Sequence, residues 1–237
     1  MICSSGLCKT AALEAYSYSN EIYEASQALL DSLNKRSLNI ITAESVTGGM
    51  ILSSLVDDPR HGSHIYGGIV SYDTKAKRKL LGVKVKDVYT KECSLEMAIG
   101  ALMNSDALVS VAVKGKAGPV SRFDLNSLGI VDVAISVRTD KASGNSDIPA
   151  DSSFPKTFTS ISRRINTCTK DGHQHTRDLC EKYKIEAARG YVSLEIQQLV
   201  RKLIRQDTVI NALRLTQKHI ENNNCYRQWG TVACTGH

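Results

Sequence analysis

Aromatic side chains are scarce in this chain, making up 5% of its 237 residues. Its interior therefore has to be built from aliphatic groups, and few rings are present on which nucleic-acid bases can stack. The formal net charge is +6, but the cations are scattered apart from Lys75, Lys77, Arg78 and Lys79 and the segment from Arg201 to Arg205. Shortage of rings and dispersal of charge together argue against a nucleic-acid partner. No apolar run approaches the length of a bilayer span, which argues against a helical membrane segment. No charged-then-apolar leader follows Met1, so a cytoplasmic location is expected. The seven cysteines include no Cys-x2-Cys pair, and their odd number in a chain without secretory context predicts free thiols. Internal repeats are also lacking.

What is present is an ordinary hydrophobic content of 42%, enough for a real core, arranged as alternating strand-like and helix-like segments. Leu13 to Arg36 has helical spacing, residues 38–42 read as a buried strand, and a helix follows to about Val56. Ile65 to Tyr72 reads as a second strand, whose internal Gly67 and Gly68 imply a bulge or a close backbone approach. Thr74 to Leu81 is a short helix stopped by Gly82. Another helix begins near Ser94, the apolar run Ala107–Val113 has the character of a strand covered on both faces, and Gly129–Val137 and Phe158–Ile165 supply further strands. A long helix occupies Tyr191 to Asn222. The expected fold is α/β, a three-layer α/β/α sandwich around a mostly buried mixed sheet in a single domain. Residues 1–12 read as a flexible leader, 13–222 as the domain with a polar insertion at about 140–190, and 223–237 as a mobile tail.

The stretch from Leu38 to Met50 concentrates chemistry. After the strand at 38–42 come Glu44, Ser45, Thr47, Gly48 and Gly49, which lead into an apolar helix. A hydroxyl at such a bend can be exposed beside backbone N–H groups that have no helical partner. Three more segments follow in order: Gly67 to Tyr72 with Lys77 five residues on, Gly115-Lys116-Ala117-Gly118-Pro119, and Arg201 to Val209 leading to Ala212-Leu213. Their order and spacing resemble the C-terminal family of CinA, the PncC-like nicotinamide-nucleotide amidases, over about 39–137 and again over 191–215.

That resemblance implies a metal-independent amidohydrolase that uses no cofactor and converts nicotinamide mononucleotide to nicotinate mononucleotide and ammonia. It assigns Ser45 as nucleophile and Lys77 as base, with Tyr72 orienting the lysine or the substrate, and it implies a homodimer. The small-molecule nucleotide would be bound around Thr47, Gly48, Gly49, Gly68, Lys114 and Gly115. Arg201 or Arg205 would hold its phosphate by a forked contact. For lysine to act as a base near neutral pH, desolvation or neighbouring positive charge has to lower its pKa. Lys75, Arg78 and Lys79 are the nearest such charges along the chain. Backbone N–H groups at Thr47, Gly48 or Gly49 are the candidates for holding the developing oxyanion.

The same residues also have plain structural readings. Ser45 caps a helix, Lys77 lies on a solvated face, Tyr72 packs on a strand, and Arg201 and Arg205 pair with Glu195 or Asp207. The chain also departs from the family pattern. Lys114 stands where the family has threonine, the glycines after Pro119 are missing, and Val46 replaces a small polar residue. Gln197-Gln198-Leu199-Val200 precede Arg201 in place of the usual Gly-Asp lead. Lys114 either depresses the pKa of Lys77 or occupies the substrate pocket. These departures leave open a second reading, a catalytically silent nucleotide-binding or assembly protein of the same fold. Finally, Cys168, His173, His175 and Cys180 are a set of N and S donors of the kind zinc takes, at a spacing that matches no common finger, within a segment otherwise read as polar surface.

Overall fold

A computed structural model describes residues 6–138 and 158–222, with side chains from Tyr18 onward. The expected loop at 140–156 and the tail at 223–237 lie outside the described residues, as do residues 1–5 of the expected leader. A five-stranded mixed sheet is formed by β1 (Ile40–Glu44), β2 (Ile65–Val70), β3 (Val109–Gly115), β4 (Ile130–Arg138) and β5 (Phe158–Asn166), in the order β2-β1-β3-β4-β5. β1 runs parallel to both β2 and β3, and the β3–β4 and β4–β5 pairs are antiparallel. Around the sheet lie α1 (Gly6–Lys35), α2 (Met50–Val56), α3 (Thr74–Leu81), α4 (Lys91–Met103), α5 (Gln174–Ala188) and α6 (Leu194–Asn222). α1 thus begins several residues before Leu13.

Alternation of side chains along each strand sorts the sheet into two unlike faces. Ile40, Val109, Val111, Val113, Val131, Val133, Ile135 and Val137 join residues of α1, α2, α5 and α6 in the larger core. The other face carries Ile41, Ala43, Ala112 and Ala134 against Leu81 and the Ala-rich side of α4. Small residues on the sheet let α4 lie close. Gly100 does the same between helices, because a Cβ there would stand 1.9 Å from the Leu81 carbonyl oxygen. That contact fixes the end of α3. Asp73 caps the start of this helix by accepting from the Lys75 N–H, and Gly82 ends it in the left-handed region.

The strand glycines have the two anticipated roles. Ile40 pairs with Ile65 and Ile41 with Gly67, so Tyr66 is bulged out of the β1–β2 ladder. A Cβ on Gly68 would meet Thr42 Oγ1 at 2.3 Å, which is close approach. Within the stretch expected as a polar insertion, the chain builds β5 and α5. The polar composition of α5 conceals an inward stripe of Thr176, Cys180, Tyr183 and Ala187.

Two expectations about this segment are overturned. Cys168, just after β5, and Cys180, on α5, are joined as a disulfide, with their Cα atoms 5.6 Å apart. They are therefore not free thiols, and Cys93 is the free cysteine among the described residues. The zinc reading fails for the same reason. Its two sulfurs are bonded to each other, and both ring nitrogens of His173 face carboxylates, Nδ1 that of Asp207 and Nε2 that of Glu21 at 2.6 Å. Among the described residues no cluster of His, Cys, Asp and Glu is arranged to hold a metal. Nor is any of their helices long and apolar enough to cross a membrane.

Candidate active site

The carboxyl ends of β1 and β2 lie side by side, with the Ser71 N–H donating to the Glu44 carbonyl at 2.8 Å. From β1 the chain passes to β2 on one side, while β3 occupies the other. A crevice at the carboxyl ends of strands beside such a reversal is where open α/β sheets commonly bind ligands. Ser45 is the first residue past β1 and is tied to β3 through its own N–H and the Val113 carbonyl at 3.1 Å.

Glu44 shapes the bend that follows. Its fully buried carboxylate accepts from Thr47 Oγ1 at 2.6 Å and from the N–H groups of Gly49, Ile51 and Leu52 at 2.9, 3.1 and 2.9 Å. Thr42 Oγ1 donates to it as well, at 3.2 Å. The first amides of α2 are therefore satisfied by a side chain from the preceding strand, and Ser45 is free of any capping role. This corrects two expectations. The Gly49 N–H and the Thr47 hydroxyl are engaged by Glu44 and are not available to a ligand. The N–H groups of Thr47 and Gly48 have no protein acceptor among the described residues.

Lys77 supplies the other half of the arrangement. In the sequence it sits inside a basic run, yet Lys77 and Leu81, four apart, are the two buried residues of α3. Lys75, Arg78 and Lys79 point outward, which removes them as the expected source of positive charge. Lys77 Nζ lies 3.0 Å from Ser45 Oγ, 2.7 Å from the Ser71 carbonyl and 2.9 Å from the Tyr72 carbonyl. Three N–H groups of an ammonium match these three acceptors. An uncharged amine would keep the two carbonyl contacts and turn its lone pair to the Ser45 hydroxyl. The same geometry thus accommodates the proton on either atom. Burial pushes the Lys77 ammonium below its usual range, with Cys93 and Asp73 opposing and Lys114 reinforcing that shift.

Lys114 is almost completely buried on the α4 face of the sheet. Its Nζ is 3.5 Å from Asp132 Oδ2 and 5.0 Å from the centre of the Tyr89 ring. The side chain is thus packed in that layer against Asp132 and Tyr89. Gly115 has a packing reason for being glycine, since a Cβ would stand 2.6 Å from the Ile130 carbonyl oxygen. The same holds for Gly68, whose vacant Cβ position is taken up by Thr42 and Leu52.

Tyr72 meets Lys77 through its backbone carbonyl alone, which accepts from Nζ. Its phenol ring is exposed, and its hydroxyl accepts from Arg201 Nη2 at 3.0 Å. Arg201 also donates to the Gly118 carbonyl, and Arg205 Nη2 donates to the Thr47 carbonyl at 2.6 Å. The Arg205 guanidinium therefore borders the Ser45 bend, and that of Arg201 lies between Gly118 and Tyr72. Neither pairs with Glu195 or Asp207, the latter facing His173. What sequence reasoning missed is the carboxylate cradle of Glu44 and the row formed by Lys114, Asp132 and Arg164. Two register pairs produce that row, Lys114 opposite Asp132 and Asp132 opposite Arg164. They were detectable only once the strands had been aligned.

Comparison with known proteins agrees with this architecture. A CinA-like protein of Chloroherpeton thalassium is 30% identical over 130 residues, covering 53% of this chain and 31% of the relative. Another from Fervidobacterium nodosum is 34% identical over 123 residues, covering 50% and 30%. The chain thus spans about a third of the length of these curated relatives. Among solved structures, the competence/damage inducible protein CihA from Agrobacterium tumefaciens aligns with a TM-score of 0.59 at 23% identity, over 85% of this chain and 96% of that one. This is a likeness of fold. The family model for the CinA C-terminal domain matches residues 22–153, more than half of the sequence. The chain belongs to the CinA C-terminal domain family.

Proposed function

We propose that the chain is an amidohydrolase in which Ser45 is the nucleophile and Lys77 its base, acting on the carboxamide of nicotinamide mononucleotide. The observation that carries this reading is the buried 3.0 Å contact between Lys77 Nζ and Ser45 Oγ, with the remaining lysine hydrogens directed at two carbonyls. Among the described residues no carboxylate touches this amine, and burial outweighs the more distant charge of Asp73. Ser45 Oγ attacks the carboxamide carbon as its proton passes to Lys77 Nζ. The carbonyl oxygen becomes an oxyanion facing the Thr47 and Gly48 N–H groups, each worth about 3 kcal/mol if well aimed. Collapse breaks the C–N bond, and ammonia departs with the proton from Lys77. Water, deprotonated by the same amine, then cleaves the ester on Ser45 and releases nicotinate mononucleotide.

Arg201 and Arg205 lie four residues apart on one side of α6 and have N–H groups to spare beyond their loop contacts, which suits a phosphate at the mouth of the site. The test is ammonia release from nicotinamide mononucleotide by the unmodified protein and by Ser45→Ala and Lys77→Ala. Release by the native chain, lost in both variants, is the expected result. Turnover unchanged by both substitutions would remove the pair from the mechanism. Nucleotide binding without turnover by the native chain would support the silent reading instead.

A further inference from the structure

We propose that Arg205 is a positioning residue for the oxyanion site: by holding the Thr47 carbonyl it fixes the Thr47–Gly48 peptide so that the Gly48 N–H is presented to the reacting carbonyl oxygen. This rests on the Ser45/Lys77 reading and says how the charge formed by that pair is met. The neighbouring parts of the bend are anchored by other groups. The Ser45 N–H is bound to β3 through the Val113 carbonyl, and Glu44 holds the Thr47 hydroxyl and the Gly49 N–H. The Thr47–Gly48 peptide lies between these anchors, and Arg205 Nη2 donates to its carbonyl oxygen at 2.6 Å. The guanidinium also packs against the turn itself, since a Cβ on Gly48 would stand 3.3 Å from the same Nη2.

A trans peptide is planar, so its C=O and N–H point in opposite directions. With Arg205 of α6 on the carbonyl side, the Gly48 N–H is directed away from α6. α6 packs on the sheet face that carries the larger core, and Leu81 of α3 on the other. An N–H turned away from α6 is therefore turned toward the α3 side, where Ser45 Oγ meets Lys77 Nζ. Gly48 has φ +63°, and without a Cβ it can rotate its peptide at little steric cost, so the plane needs a tether. A cation supplies a stronger one than a neutral donor would. Binding a positive charge at the oxygen also polarises the peptide and makes its N–H a better donor.

The experiment follows ammonia release by native protein and Arg205→Met from nicotinamide mononucleotide and from nicotinamide riboside, the same carboxamide without the phosphate. An oxyanion donor acts in the transition state, and removing one costs about 10²–10³ in kcat. Arg205→Met leaves the donor present but untethered, so kcat is expected to fall about tenfold or more on both substrates. Arg205→Lys, which can return one charged N–H to the Thr47 carbonyl, is expected to recover most of that loss. Arg205→Gln repeats the test if circular dichroism finds the Met variant unfolded. A loss confined to the mononucleotide and carried by KM would make Arg205 a phosphate ligand only and overturn the inference alone. Where the native chain turns over the riboside too slowly to measure, kcat at saturating mononucleotide decides, and an unchanged value overturns it. No release by the native chain, or release that ignores Ser45→Ala, would overturn it together with the reading on which it stands.

Discussion

Replacing Glu44 by glutamine leaves side-chain volume unchanged and reverses the character of one oxygen, which makes it a sharp probe of the bend that carries Ser45. The two carboxylate oxygens divide their donors: Oε1 accepts from Thr42 Oγ1 and Leu52 N, and Oε2 from Thr47 Oγ1, Gly49 N and Ile51 N. Whichever way the amide turns, its NH2 faces at least two donors. Bonds to a charged acceptor are worth about 1.5–3 kcal/mol each, so the expected loss is about 3–6 kcal/mol. A hydroxyl that rotates to accept brings the cost to the lower end. That is a large share of the roughly 5–15 kcal/mol that holds a domain together. At about 2–4 °C per kcal/mol for a chain of this size, the melting temperature should fall by at least about 6 °C. Thermal unfolding followed by circular dichroism at pH 7 gives the number, with the exposed Glu181→Gln as control. A Glu44→Gln protein melting within about 2 °C of the native one would refute the claim that this carboxylate organises the bend.

Three further outcomes follow from the same structure. Burial opposes the charge on His173, but Asp207 and Glu21 outweigh it and hold the imidazole above its usual range. At Asp207 burial dominates and raises the carboxyl instead, so the sign is taken from His173, which has a carboxylate on each side. A raised folded pKa contributes stability that is complete below the unfolded value, about 6.5, and lost as pH rises through the folded one. The melting difference between native protein and His173→Gln should therefore be larger at pH 6 than well above the raised value, and a difference independent of pH would contradict this. Reducing the Cys168–Cys180 disulfide reopens a short loop and should cost about 3 kcal/mol, seen as a lower melting temperature in dithiothreitol; an unchanged one would count against the bond. Gly100→Ala places a methyl against the Leu81 backbone and should cost about 1–3 kcal/mol while shifting α3. It should slow ammonia release from nicotinamide mononucleotide as well as lower the melting temperature, and an effect on neither would show that the α3–α4 contact does not hold Lys77 in place.

The legible parts of the sequence were those with local causes. α3 was bounded correctly at Thr74 and Leu81 because Gly82 marks its end in the sequence itself. β3 was recognisable because both of its faces are covered, which leaves a run from Ala107 to Val113 that is apolar except for Ser110. Ser45 and Lys77 were singled out by motif order, and the fold brings them to 3.0 Å. What was not legible depends on partners distant in sequence. A basic run gives no sign that one of its four cations turns inward. α5 looked like surface because its buried stripe is composed of Thr176, Cys180, Tyr183 and Ala187, only one of them a large apolar side chain. The disulfide depends on where β5 delivers Cys168. Glu44 and Asp132 become significant only through amides and cations that other elements supply.

The most direct measurement of the central claim is peptide mass mapping of protein quenched during turnover of nicotinamide mononucleotide. An acyl ester on Ser45 in the native chain, absent in Lys77→Ala, is the predicted result. Ammonia released at an undiminished rate by Ser45→Ala would contradict it.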